Sequence, residues 1–166
     1  RYPQITCVHN PDYASTGSMG TLACFKAVIK DNFLLLESDL LYEQRALQIV
    51  IDSPSPTVIL SSDITAYGDE VFIETTPTGH LIAMAKDQTT LSSVDSVLVG
   101  ISKLSLETFQ QMVSCYESSN RPELHYEDTM VLLSTSESLS VTPCPGLAWC
   151  ESIAPNTLNL QKQRYS

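Results

Sequence analysis

Apolar residues along the chain fall into short runs separated by stretches with helical spacing. Ile5 to Val8 reads as a short buried strand, and His9 to Asp12 as a turn, because Pro follows Asn. A polar loop, Ala14 to Ser18, leads to Ser18, expected as the N-cap of a helix. In that helix Leu22, Phe25 and Ile29 share one face, and Asp31 and Asn32 close it. Phe33 to Leu36 is apolar without alternation, the pattern of a strand covered on both faces in a parallel sheet, and it turns polar at Glu37-Ser-Asp39. A helix from about Glu43 to Asp52, a turn at Ser53 to Pro56 and a strand from Thr57 to Leu60 follow. The alternation of strand and helix predicts an α/β class with crossover connections and a doubly wound, mostly parallel sheet.

The middle of the chain changes period. Glu70 to Glu74 and His80 to Met84 flank Thr75 to Gly79 and predict an added antiparallel hairpin. Ser96 to Ile101 predicts a further strand. Ser105 is placed to cap a helix in which Leu106, Phe109, Val113 and Tyr116 lie on one face. Ser118 to Glu123 reads as a polar connector, Leu139 to Thr142 as a weak strand, and Pro143 to Gly146 as a turn. No repeat or low-complexity tract interrupts the chain. One domain over residues 1–166 is expected, with 153–166 as a frayed tail.

Composition adds limits. Of 166 residues, 43% are hydrophobic and 17% charged, an ordinary globular balance, and no apolar run approaches the ~20 residues that span a bilayer. A net charge of −10 repels nucleic-acid backbones and anionic membranes, so neither is expected as a partner. Anionic substrates would then need Mg2+ or local cations, and there are only 9 Lys and Arg. The five cysteines, Cys7, Cys24, Cys115, Cys144 and Cys150, include no CxxC pair and lack zinc-ligand spacing. They are read as reduced thiols of a cytoplasmic protein, Cys7 and Cys24 as small hydrophobes.

The sharpest chemical feature is Glu37-Ser-Asp39, since open α/β sheets bind ligands beyond the carboxyl ends of their strands. Asp39 there suits a metal held over phosphates, and equally suits a cap on the next helix. Asp69 and Glu70 fit a ligand site or a solvated turn. Lys86 fits a phosphate contact or a surface charge. Tyr126-Glu127-Asp128 fits a cationic ligand or a surface turn. Trp149, the single Trp, fits a binding platform or packing. His9, His80 and His125 make no ligand set, and neither a nucleophile elbow nor a GxGxxG or GxxxxGK[ST] loop is present.

Taken in order, Asn10 to Met19, Phe33 to Glu43, Gly68 to Val71, Met84 to Asp87, Leu98 to Lys103, His125 to Asp128 and Leu147 to Glu151 resemble one family. It is the nucleotidyltransferase domain of 2-aminoethylphosphonate and phosphocholine cytidylyltransferases, among the MobA-like and sugar-phosphate nucleotidyltransferases. The resemblance implies a Rossmann-like fold and transfer of CMP from CTP to a phosphonate or phosphate monoester, with release of pyrophosphate. It implies Mg2+ as cofactor, held by Asp39 and Glu151, with Asp39 and Lys86 serving catalysis. Ser15, Thr16, Ser18, Asp69, Tyr126, Glu127 and Trp149 are the substrate-binding positions it implies, for CTP and an acceptor with a cationic head group. Family members open with a strand and a Gly-rich basic loop that cradles the triphosphate, and these are expected to be missing here. They also carry an Asp where this chain has Ile153. The unpaired sheet edge so expected suits a homo-oligomer or a complementing chain. Two further readings accompany the cytidylyltransferase: a degenerate or partner-dependent homologue acting as a binding module, and a sugar-phosphate nucleotidyltransferase.

Overall fold

A computed structural model describes residues 4–64 and 70–151. The strands are β1 (Phe33–Leu36), β2 (Leu40–Tyr42), β3 (Val58–Ser62), β4 (Phe72–Thr75), β5 (Leu81–Ala85), β6 (Ser96–Leu104), β7 (Ser140–Pro143) and β8 (Trp149–Glu151). The α-helices are α1 (Ser18–Ala23), α2 (Arg45–Asp52), α3 (Leu106–Ser119) and α4 (Tyr126–Ser134). Among the described residues no helix is long and apolar enough to cross a membrane.

One sheet holds six strands in the order β5-β4-β6-β3-β7, with β1 also paired to β6. Helices cover both faces. On one, α1, α3 and α4 pack Met19, Phe109, Met112 and Met130 against Ile59, Ile73 and Leu104. The Phe33 and Phe109 rings meet edge to face, 5.4 Å between centroids. On the other, α2 sets Ala46 and Val50, one turn apart, against Val58, Leu60, Val99 and Ile101. The doubly covered α/β architecture is therefore as the pattern implies. The strand directions are not. Of the five pairings in this sheet among the described residues, only β3 with β7 is parallel. β1 and β3 do run the same way, joined over α2, but β6 lies between them and runs against both. All five residues of β3 are buried because helices cover both faces, and that burial says nothing about direction.

The sequence also overstates order near the amino end. Residues 5–8 form no strand, Ile5 is 60% exposed, and the Cys7 thiol is at the surface. Helix α1 is only 6 residues long and passes into a 3₁₀ turn, Cys24–Ala27. The hairpin β4–β5 and the capped helix α3 form as expected: Ser105 Oγ accepts from the Thr108 N–H at 3.0 Å. α3 ends on Asn120 in the left-handed conformation, φ 53°. Two short strands without a readable period, β2 and β8, make a separate two-stranded ribbon. Residues 126–128, which also fit a surface turn, open helix α4. Residues 153–166, with Ile153, lie outside the described residues.

Candidate active site

The cleft of this fold arises from a gap along one edge of β6. β1 pairs with residues 101–104 of β6, and β4 pairs with Ser96 and Val97 of the same edge. Between them, among the described residues, the edge is bridged at its limits by Glu37 N–H to Gly100 O at 3.0 Å and Leu98 N–H to Val71 O at 2.9 Å. Gly100 sits there at φ +78°, where β6 is irregular against β3. A Cβ on Gly100 would lie 2.5 Å from Glu37 Oε2, so glycine is what leaves room for the Glu37 carboxylate.

The gap opens into a cleft of about 570 Å³, lined by the β1 end, by Val71 and Lys86, by the start of α4, and by α1. Asp39 and Glu151 both line it. Asp39 precedes Leu40, and Leu40 is the register partner of Glu151 in the β2–β8 ribbon. The ribbon is tied to the body at several points. Ala148 N–H donates to Glu43 Oε1 at 2.9 Å, Gly146 N–H to Asp63 Oδ2 at 2.7 Å, and Trp149 Nε1–H to Ser62 Oγ at 2.7 Å. The Arg45 guanidinium, first, and the Ala148 N–H hold the Glu43 carboxyl below its ordinary range. Lys86 reaches the cleft because Ala85 is the partner of Phe72, which sets Lys86 beside Val71.

The inner wall is built where α4 begins. Ser18 is the first residue of α1, with Gly17 at the N-cap, and so does not cap its own helix as expected. Its hydroxyl instead accepts from Tyr126 N–H at 3.0 Å and lies 3.2 Å from His125 Nδ1, capping α4 across 108 residues. Asp128 Oδ2 takes the His125 N–H at 2.8 Å. Tyr126, 5% exposed, donates its phenol to Glu37 Oε1 at 2.5 Å. Burial first, then the Glu37 charge, pushes the Tyr126 phenol well above its ordinary value, so it stays a donor. Glu127 Oε2 is enclosed and has no hydrogen-bond partner. Burial, with smaller contributions from Glu37 and Asp128, raises the Glu127 carboxyl, against its own backbone N–H and His125.

A carboxyl raised in this way favours the fold below its ordinary value of 4.5, and that contribution is lost as pH rises through the higher folded value. Glu127→Gln removes the titration. The variant should melt a few degrees higher than the parent at neutral pH, at about 2–4 °C per kcal/mol. That advantage should shrink as pH falls toward 4.5. Thermal scans over this range check it, and a pH-independent difference would show an unshifted carboxyl.

Of the residues expected at a site, Ser18, Asp39, Lys86, Tyr126, Glu127 and Glu151 are thus brought to one cleft. Ser15 and Thr16 are not. Both hydroxyls donate to Asp12 O, at 3.1 Å, in a turn that Asn10 organises by donating to Thr16 and Thr21. Trp149 packs on the α2 face of the sheet, away from the cleft lining. Asp69 lies outside the described residues. Glu37 was visible in the sequence but not singled out for a role. Its signal was Gly100, a glycine inside an otherwise unbroken apolar strand, which marks a bulge or a close approach.

The donor chemistry fits Mg2+. Among the described residues no group of three or more His, Cys, Asp or Glu side chains could hold a metal ion by itself. Two carboxylates lining one cleft suit an ion that keeps waters and takes its remaining ligands from substrate phosphates.

No family model matches this chain. Solved structures share its fold at low identity. The inositol-1-phosphate CTP transferase of T. maritima superposes with a TM-score of 0.74 at 13% identity, over 90% of this chain and 60% of that one. The CTP:phosphocholine cytidylyltransferase of Streptococcus pneumoniae gives 0.68 at 15%, over 95% and 67%. The UDP-glucose pyrophosphorylase of Acinetobacter baumannii gives 0.65 at 16%, over 97% and 60%. The chain has a nucleotidyltransferase-like fold and spans about 60% of the length of the first of these structures.

Proposed function

We propose that the protein transfers a nucleotidyl group from a nucleoside triphosphate, CTP by preference, to a small phosphonate or phosphate monoester with a cationic head group, releasing pyrophosphate. The acceptors of this reading are 2-aminoethylphosphonate and phosphocholine. What carries it is one cleft lined by Asp39 and Glu151 together with Lys86 and the acidic Glu37 and Glu127.

Asp39 and Glu151 would hold Mg2+, which when bound offsets phosphate charge and makes the α-phosphorus more electrophilic. Lys86 adds a cation on the opposite side of the gap. An acceptor oxygen attacks the α-phosphorus, forming a P–O bond as the bond to the bridging oxygen breaks and pyrophosphate leaves with the electron pair. A dianionic acceptor has no proton to lose, so the protein need supply no base. Its task is alignment and charge. The half-enclosed wall of Glu37, Tyr126 and Glu127 favours a cation at the far end of the acceptor over a neutral sugar.

Pyrophosphate release is the direct assay. It should require CTP, Mg2+ and a cationic phosphonate or phosphate together. Equal release with UTP and glucose 1-phosphate would make the protein a sugar-phosphate nucleotidyltransferase. The absence of release with every nucleotide and acceptor would remove the reading.

A further inference from the structure

We propose that Glu43 and Arg45 are positioning residues for Glu151: together they clamp the turn end of the β2–β8 ribbon and so fix the strand that carries the Glu151 carboxylate into the cleft. The role of Glu151 as a metal ligand rests on the nucleotidyl-transfer reading.

The ribbon is short, and a side chain completes its ladder. The register pairs Tyr42 with Trp149, Leu41 with Cys150 and Leu40 with Glu151, so Glu43 stands opposite Ala148. A hydrogen-bonded antiparallel pair exchanges two backbone bonds. Here one of them is backbone to backbone, Glu43 N–H to Ala148 O at 3.1 Å. The Glu43 carbonyl is committed elsewhere: it accepts from Ala46 N–H at 3.0 Å and opens α2. The return bond from Ala148 N–H goes instead to the Glu43 carboxylate, Oε1 at 2.9 Å. One residue thereby serves two elements, its carbonyl the helix and its carboxylate the ribbon.

Arg45 fixes that carboxylate and the turn at once. Its Nε–H donates to Glu43 Oε2 at 2.5 Å, Nη1 to Pro145 O at 3.3 Å and Nη2 to Gly146 O. A guanidinium presents its donors in a rigid planar fork, so the three acceptors are tied to one stiff group. Strand β8 is three residues long and Glu151 is its last, so its path into the cleft is set from this turn. The Glu43 and Arg45 side chains are 41% and 44% exposed, and an ion pair so exposed adds little to global stability. Its effect is local, on the placement of β8.

Two readouts test this without turnover. Trp149, the single Trp, lies in β8 and donates to Ser62 Oγ at 2.7 Å, so its fluorescence reports how β8 is seated. Mn2+, counted by electron paramagnetic resonance, is the metal probe. Glu43→Ala should red-shift Trp149 emission, increase its quenching by acrylamide and weaken Mn2+ binding by about tenfold, the lower end of what losing a metal ligand's outer support costs. Glu43→Gln keeps an acceptor for Ala148 N–H and should recover most of both. Arg45→Ala leaves the Glu43 bond to Ala148 in place and should shift both readouts by a smaller factor, which keeps a second route if Glu43→Ala does not fold. Glu117→Ala removes another exposed ion pair, with Lys26, and should change neither. In the pyrophosphate assay Glu43→Ala should need about tenfold more Mg2+ for half its maximal rate, with the rate at saturating Mg2+ within about twofold of the parent. Unchanged Mn2+ affinity in Glu43→Ala overturns the proposal. Weaker Mn2+ with Trp149 unmoved overturns it too, because the clamp would not act through β8. A parent protein that binds no Mn2+ removes it together with the metal pair. A loosened β8 and weakened Mn2+ in a protein that releases no pyrophosphate would uphold the clamp and remove the transfer reading.

Discussion

Asp39→Asn is expected to lower Mg2+-dependent pyrophosphate release by about 10³-fold or more, with little change in melting temperature. The substitution keeps the size and one oxygen of the side chain and removes its charge. Mg2+ is commonly bound through one or two carboxylates plus phosphates, so on the proposed reading losing one of two would leave Glu151 to hold the ion alone. A single preorganised donor to a developing oxyanion is worth about 10²–10³ in rate, and a divalent ion at the α-phosphate should matter at least as much. Asp39 is half-buried just beyond the end of β1, on no core cluster, so the fold has little stake in it. Glu151→Gln should fall in the same direction by a smaller factor, because Glu151 sits within β8 and its ladder keeps the backbone in place. Raising Mg2+ should rescue part of the loss in each variant. Activity of Asp39→Asn within tenfold of the parent would move the metal elsewhere in the cleft.

The carboxyl end of β1 was legible because it needs only local information: an apolar run that stops at Glu37-Ser-Asp39. The same holds for Ser105, whose cap is satisfied three residues on, and for the β4–β5 hairpin. Direction of pairing was not legible. Burial on both faces erases alternation whichever way the neighbours run, so β1 and β3 read as strands of a parallel sheet although both pair antiparallel with β6. Glu151 was reached only through resemblance, since three-residue strands such as β2 and β8 carry no period. The start of α4 was obscured for a different reason. Its hydroxyl cap comes from Ser18, 108 residues away, and the local pair of His125 and Asp128 is not the Ser/Thr and Glu/Gln box that marks a helix start. Ser18 itself looked like a cap and is one, for the wrong helix by sequence and the right one in space.

That long-range cap leads to the second large effect. Gly17→Ala is expected to destabilise the protein by about 1–3 kcal/mol and to disturb the cleft as well. The reason is not backbone freedom, since Gly17 has φ −74°, open to any residue. It is proximity to backbone that cannot rotate away. A Cβ at Gly17 would lie 2.3 Å from Leu124 O and 2.4 Å from Glu123 O. Those carbonyls belong to the segment that receives the start of α1: Gly17 N–H donates to Pro122 O at 2.8 Å, and Met19 N–H to Leu124 O at 3.3 Å. Relieving the clash must push residues 122–124 and α1 apart, which pulls Ser18 Oγ from Tyr126 N–H and shifts the first turn of α4. Tyr126 and Glu127 then move with it, so selectivity among acceptors should fall along with stability. Differential scanning calorimetry should show a midpoint lower by about 2–12 °C for a chain of this size. Gly146→Ala is the control for backbone freedom, because Gly146 has φ +62° with nothing within 4 Å of its missing Cβ. It should cost about 1 kcal/mol with acceptor selectivity unchanged. If Gly17→Ala instead melts within a degree of the parent, the contact between α1 and the approach to α4 is looser than its distances require. The inner wall would then owe its geometry to Gly100 and β1 alone.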